Sequence, residues 1–273
     1  MPELFQMTTC KIATHEDDYL IRNVMAATDH PCFIAPGDKD IKIWRYMDFT
    51  KFVSLLETQC LYLSRADKFE DPFEGSLPVV NAAFRSHHFS SAGFTAAILE
   101  KIAAESSLFT GAMRRWTYIN CWHMNKHESA AMWKLYAKSD EAVAIQSTYS
   151  KLHDALPNGS FLGTVTYLDY NTAPIPDGNS FWPYVHKRLS FEHEKELRIV
   201  EQEFPANENG LDVHRENKRF GKTVHVELSR LIESVYVSPT SPEWFYHLVE
   251  SIAKRYGFSF PTRRSDIMQT PVF

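Results

Sequence analysis

Ile41-Lys42-Ile43-Trp44-Arg45-Tyr46 alternates apolar and polar side chains, the period of a half-buried β-strand. Asp48 follows at a helix-capping position, ahead of an apolar face made by Phe49, Phe52, Val53, Leu55 and Leu56. Leu61-Tyr62-Leu63-Ser64 then reads as a short strand. It empties into a polar turn from Arg65 to Gly75, broken by Asp71-Pro72 and by the glycine. Farther along, strands are expected at Trp116–Trp122, Ala142–Ser147, Phe161–Tyr170, Glu194–Val200, Thr223–Val226 and Ser234–Val237. Helices are expected over residues 79–116, over Ala130–Ala137 behind a Ser129 cap, and around Trp182–Leu189. A last helix starts at Ser241-Pro242, buries Phe245, Leu248, Val249, Ile252 and Tyr256, and stops at Gly257.

Strands and helices mix without a regular βαβ alternation, and no long linker or internal repeat divides the chain. The expected fold is therefore α+β, a single domain over residues 1–273. Its strands at 41–46, 117–122, 142–147, 161–168 and 196–201 should share a mixed or antiparallel central sheet with flanking helices. Within 79–116, Phe94, Ile98 and Ile102 recur every four positions beside Ala97, which predicts one buried stripe on a helical insertion or lid.

Composition narrows the functional classes. With 44% hydrophobic and 23% charged residues, the chain has the balance of a folded globular protein rather than a disordered one. Aromatics are the departure, at 14%, and core filling accounts for most of such an excess. A net charge of -5 and basic clusters no longer than Arg114-Arg115, Arg215–Lys222 and Arg263-Arg264 give no face for tight nonspecific binding to nucleic acid. Cys10, Cys32, Cys60 and Cys121 have no C-x-x-C spacing, so neither a zinc site nor a redox motif is expected. The amino-terminal segment lacks a basic start and apolar core, and no 18-residue apolar run occurs, so a cytoplasmic protein without a membrane partner is expected. Glycine-rich phosphate loops, G-x-S-x-G and H-E-x-x-H are all absent.

Four constellations remain. In Phe191-Glu192-His193-Glu194-Lys195-Glu196-Leu197-Arg198, strand periodicity places Glu194, Glu196 and Arg198 on one face. Like charges so close need a cation or a ligand, and a solvated ion-pair ladder fits the pattern equally well. Asn120-Cys121-Trp122-His123, leading to the Met132-Trp133 helix, places side chains at a sheet mouth where ligands sit. Trp44-Arg45-Tyr46 offers an arginine for phosphate or carboxylate, or one that snorkels over an apolar edge. The turn bearing Asp67, Glu70, Asp71 and Glu74 matches no calcium loop and reads first as a rigid acidic turn.

Taken in order, Trp44-Arg45-Tyr46, Leu61–Ser64, Phe69-Glu70-Asp71-Pro72-Phe73-Glu74, Met132-Trp133-x-x-Tyr136 and Glu194-x-Glu196-x-Arg198 resemble the bacterial family named domain of unknown function 2971. The resemblance covers roughly residues 41–200, and Glu70 stands where that family has Asn. A more distant resemblance is to arginine-type ADP-ribosyltransferases, which carry an early-strand Arg, a Ser-Thr-Ser strand and a Glu-x-Glu strand. Arg45 matches the first and Glu194-Lys195-Glu196 the third, while Cys121-Trp122-His123 departs from the second.

That resemblance implies an ADP-ribosyltransferase-like fold and NAD as substrate, in an enzyme of bacterial toxin or phage-defence systems acting on an unidentified acceptor macromolecule. It implies Glu196, Glu194 and Arg45 as catalytic residues, with Tyr46, Trp122, His123, Trp133 and Tyr136 around the nucleotide and no metal. Two alternatives stay open. One is a metal-dependent nuclease or phosphodiesterase using Asp71, Glu74, Glu194 and Glu196 with Lys187 or Lys195. The other is a non-catalytic ligand-binding or sensing module.

Overall fold

A computed structural model describes residues 30–271 except 92, 138, 209 and 270. Residues 1–29 lie outside the described residues, and with them Cys10 and the amino-terminal segment. The chain runs β1 (Lys42–Asp48), α1 (Phe49–Thr58), β2 (Cys60–Arg65), α2 (Val79–Ser91), α3 (Ala96–Met113), β3 (Thr117–Met124) and α4 (Ala130–Tyr136). It continues through β4 (Ala142–Thr148), α5 (Tyr149–Ala155), β5 (Phe161–Thr164), β6 (Thr166–Leu168), β7 (His186–Arg188) and β8 (Glu196–Gln202). β9 (Ala206–Asn207), β10 (Gly210–Leu211), β11 (Gly221–His225), α6 (Leu228–Leu231), β12 (Ser234–Val237), α7 (Glu243–Arg255) and β13 (Thr262–Arg264) complete it.

Nine strands form one sheet in the order β11-β2-β3-β1-β4-β12-β13, with β8 added to β3 and β5 to β8. Every pairing in it is antiparallel except β12 with β13, so the fold is α+β with a mixed, mostly antiparallel sheet. β3 is the hub. β8 covers it from Thr117 to His123, so β2 and β1 must share its other edge, β2 at Tyr118–Ile119 and β1 at His123–Met124. The sheet splits between those two pairings, and the carbonyl of Cys121 falls in the gap. Arg45 fills it, donating from Nη1 to that oxygen at 3.3 Å.

Alternation along β3 and β8 separates two environments. Tyr118, Trp122, Leu197 and Ile199 join the main core with Ile43, Phe52, Phe245 and Val249. Each fully buried side chain of this size contributes roughly 1.5–3 kcal/mol. Cys121, His123, Glu196 and Arg198 alternate with those core residues and face the opposite side.

The helices form for local reasons. In α1, Phe52, Leu55 and Leu56 meet the core, and Gln59 ends the helix in the left-handed conformation, returning its N–H to Leu55. Asp48 occupies the N-cap with extended backbone, yet its side chain makes no capping bond. Ser129 does cap α4, accepting from the Met132 N–H at 3.4 Å. α7 buries Phe245, Val249 and Ala253, and Gly257 follows at φ 83°.

Three expectations need correction. The strand expected over Phe161–Tyr170 is broken at Val165. Val165 donates to Glu196 on the main sheet, but Thr166 donates to Val185 and begins a parallel ribbon with β7. The helix expected around Trp182–Leu189 is only a 3₁₀ turn, Trp182–Tyr184. The stripe Phe94, Ile98, Ile102 is not a buried one, since Phe94 is 42% and Ile98 44% exposed. Periodicity marks an apolar face without saying how much of it is covered. Among the described residues no helix is long and apolar enough to cross a membrane.

Candidate acid–base site

The expected strand from Glu194 onward also begins two residues late. Leu189–Glu194 is a 3₁₀ run, and Lys195 then adopts φ 42° and ψ 55°. Few non-glycine residues accept that left-handed conformation. Strand alternation therefore does not put Glu194 beside Glu196. The left-handed turn does, with β8 starting at Glu196.

The carboxylates meet on Lys187, reached from β7. Its Nζ donates to Glu194 Oε2 at 2.5 Å and to Glu196 Oε1 at 2.6 Å. Arg198 Nε donates to Glu196 Oε2 at 2.6 Å, and its two terminal nitrogens hold Glu74 bidentately at 2.6 and 3.0 Å. Arg198 also donates to the Tyr184 carbonyl at 2.8 Å, and the Glu196 N–H donates to Tyr167 Oη at 2.8 Å. Arg198 is fully buried and Glu196 is 4% exposed, so each charge depends on its partners rather than on water.

Protonation follows from this packing. Burial pushes the Glu194 carboxyl up to about 8, and its hydrogen bond to the Glu196 anion adds to that, with Lys187 pulling only partly the other way. Burial would raise Glu196 too. There the charge of Arg198, the hydrogen bond from Glu194 and the charge of Lys187 prevail, holding it well below the usual carboxylate range. The proton of the pair thus rests on Glu194 at neutral pH. Glu74 and Glu196 then balance Lys187 and Arg198, two charges of each sign, and the buried cluster is neutral.

A pH dependence of stability follows. Glu194 ionises near 4.5 as a free side chain and near 8 in the folded chain. The folded state keeps the extra proton between those values, so stability falls as pH rises through the window. Glu196 acts in the opposite sense and only in acid, where its contribution is lost as pH drops. Urea unfolding should therefore show a loss on the order of 2 kcal/mol from about pH 6 to about pH 9. Glu194→Gln, which stays uncharged, should flatten that slope, and an unchanged slope in the variant would remove the assignment.

The other residues singled out in the sequence gather unevenly. Trp44, His123 and Glu196 lie abreast in one row across β1, β3 and β8, so the outer two strands are roughly 10 Å apart. His123 is 6% exposed, and its Nδ1 lies 2.6 Å from the Glu194 carbonyl oxygen. A carbonyl only accepts, so Nδ1 carries the proton and Nε2 presents a lone pair, which has no partner among the described residues. Burial lowers the imidazole pKa despite that bond.

Arg45 has no carboxylate in ion-pair reach among the described residues. Burial lowers its pKa to about 10, with Cys121 and Tyr136 opposing. Burial, then Glu194, Cys121 and Glu196, raise the Tyr136 hydroxyl, although the residue as a whole is 44% exposed. Arg45, His123, Tyr136, Glu194 and Glu196 are thus brought together around Cys121. Tyr46 is buried beside them, its hydroxyl accepting from the Ser129 N–H at 2.8 Å. Trp133 is buried and donates to Glu128 at 2.8 Å. Trp122 lies in the main core on the other face of the sheet and presents no ring face to this site.

The carboxylates that a metal site would draw on are already bonded to cations, Asp71 to Arg188, Glu74 to Arg198, and Glu194 and Glu196 to Lys187. Sequence reasoning gave Lys187 a role only in that alternative, placed Glu74 there and in the acidic turn, and missed both as the counterparts of Glu194, Glu196 and Arg198. No local pattern marks either, since Glu74 is 124 residues from Arg198.

Fold and site together define an α+β chain whose mostly antiparallel sheet carries a buried, charge-balanced carboxylate cluster. No family model, curated protein or solved structure matches the chain.

Proposed function

We propose that this chain is an NAD-dependent ADP-ribosyltransferase-like enzyme acting on the nicotinamide–ribose bond. The observation that carries the reading is the Glu194–Glu196 pair, two adjoining carboxyls whose protonation is pushed apart, one acid and one fixed anion. Cleavage of an N-glycosidic bond develops positive charge on the sugar. A Glu196 ionised at neutral pH, held in place by Lys187 and Arg198, is suited to stabilise that charge by position alone. Glu194 exchanges a proton near neutral pH and serves acid–base steps with the acceptor. Arg45, a cation without an acidic partner among the described residues, supports the pyrophosphate, and Tyr136 stands at the exposed side from which the nucleotide enters.

A second reading, a non-catalytic ligand-binding or sensing module, is favoured by one observation. Both Glu196 oxygens are already bonded, and the side chain is almost wholly covered. In that reading the cluster is a structural device.

Calorimetry with NAD, and separately with Mg²⁺ and Mn²⁺, divides the readings when paired with an assay for free nicotinamide. Saturable NAD binding with nicotinamide release is the expected result. NAD binding without release over a broad acceptor panel would favour the module. Heat with the metals alone would favour a metal-dependent phosphodiesterase, and absence of any NAD binding would sink the transferase reading.

A further inference from the structure

The β6–β7 ribbon has two faces with different partners. Tyr167 and Lys187, paired across it, turn inward to Glu196. The next pair, Leu168 and Arg188, instead lines a groove of about 490 Å³ on the ribbon's other side. That volume lies in the range of small-molecule sites. Phe73, Leu189 and Val79 extend its apolar wall, and all three are exposed.

Arg188 is fixed within this wall. Its Nη2 donates to Asp71 Oδ1 at 2.7 Å, and its guanidinium lies 4.2 Å from the centroid of the Phe73 ring and 5.3 Å from that of Phe191. Nη1 makes no hydrogen bond to any described residue, so a held cation keeps donors in hand. A guanidinium stacked on aromatic rings loses little freedom when it binds an anion. The charge count then sets the ligand. Arg188 is the only cation lining the groove among the described residues, and Asp71 and Asp169 stand close by. Asp169 and the Asp71 already paired with Arg188 repel a dianionic phosphate about twice as strongly as a monoanion, so a singly charged carboxylate is the anion that the spare donors of Arg188 can hold.

We propose that this groove binds a small organic carboxylate, its carboxylate on Arg188 and its apolar or aromatic group against Phe73, Leu168, Leu189 and Val79. This site lies across the ribbon from the Glu194–Glu196 pair and does not depend on the transferase reading.

The test is calorimetry on the full chain, without NAD, using phenylacetate, the neutral phenylacetamide and phenyl phosphate as probes. Phenylacetate should bind with a Kd of roughly 0.1–1 mM and the amide at least about tenfold more weakly. Arg188→Gln should weaken phenylacetate by about tenfold. Because that change also strands Asp71, Val79→Glu gives an independent arm. Val79 is 71% exposed, and a carboxylate there should repel the probe by several-fold without disturbing the fold. Equal binding of acid and amide would overturn the proposal. So would tighter binding of phenyl phosphate, no saturation by about 10 mM phenylacetate, or indifference to Val79→Glu.

Discussion

Arg198→Met is expected to cost about 3–5 kcal/mol of folding stability, enough to consume much of the stability of an ordinary domain. Methionine matches the length of the arginine stem and keeps the packing apolar. It removes, however, the donors that Arg198 gives to Glu74, Glu196 and the Tyr184 carbonyl, leaving Glu196 with Lys187 as its cation. The side chains of Glu74 and Glu196 are 1% and 5% exposed, so neither can turn to water for compensation. One of them must take up a proton or the cluster must open. The damage should therefore be pH-dependent. Carboxyls left without their cation have folded pKa values above their unfolded ones, so the deficit shrinks in acid and grows as pH rises. Urea denaturation of wild type and variant at two pH values measures both effects. Adding Glu74→Leu to Arg198→Met should recover part of the loss, because removing both partners of a buried pair is far less costly than removing one. A loss below about 1 kcal/mol would show that water reaches the cluster, and the charge-balance argument would fail.

That cluster also marks where reading the chain stops succeeding. Strands with clean alternation, such as Lys42–Asp48 and Ala142–Thr148, were legible within a residue or two, as were α1, α7 and the Ser129 cap. These depend on local periodicity and capping. The break at Val165 was not legible, because Thr164 to Leu168 keeps a strand composition while its partner changes from β8 to β7. Lys195 in the left-handed region was equally hidden. Nothing near Glu-Lys-Glu announces it, and the alternating charges mimic a plain strand. The Glu194–Glu196–Arg198 grouping was anticipated from the wrong geometry, and its counter-ions came from elsewhere: Lys187 from seven and nine residues before the two glutamates, and Glu74 from 124 residues before Arg198. The exposed stripe of α3 makes the converse point. Periodicity identifies an apolar face but says nothing of what, if anything, covers it.

On the proposed transferase reading, Glu196→Gln should reduce nicotinamide release from NAD by about a hundredfold, the usual effect of removing one preorganised charge worth on the order of 3 kcal/mol in the transition state. Glutamine keeps the size of glutamate, but its amide offers donors where Lys187 and Arg198 also donate. The change should thus also cost stability, on the order of 2–3 kcal/mol, because the site is buried rather than a rung of a surface ladder. Stability alone therefore cannot separate catalysis from scaffolding. The separation comes from comparing rate with binding in protein that remains folded. If Glu196 acts on the developing sugar charge, kcat falls while the Kd for NAD changes by no more than about twofold, since the ground state carries little of that charge. If it only holds Lys187 and Arg198, NAD affinity and folded fraction should decline together and the rate per folded molecule should not. Glu192→Gln is the control, an exposed carboxylate in the turn two residues before Glu194. It should leave rate, affinity and stability within about 0.5 kcal/mol of wild type. Wild-type release of nicotinamide with equal activity in Glu196→Gln would remove Glu196 from the chemistry and leave it as the anion that holds two buried cations in register.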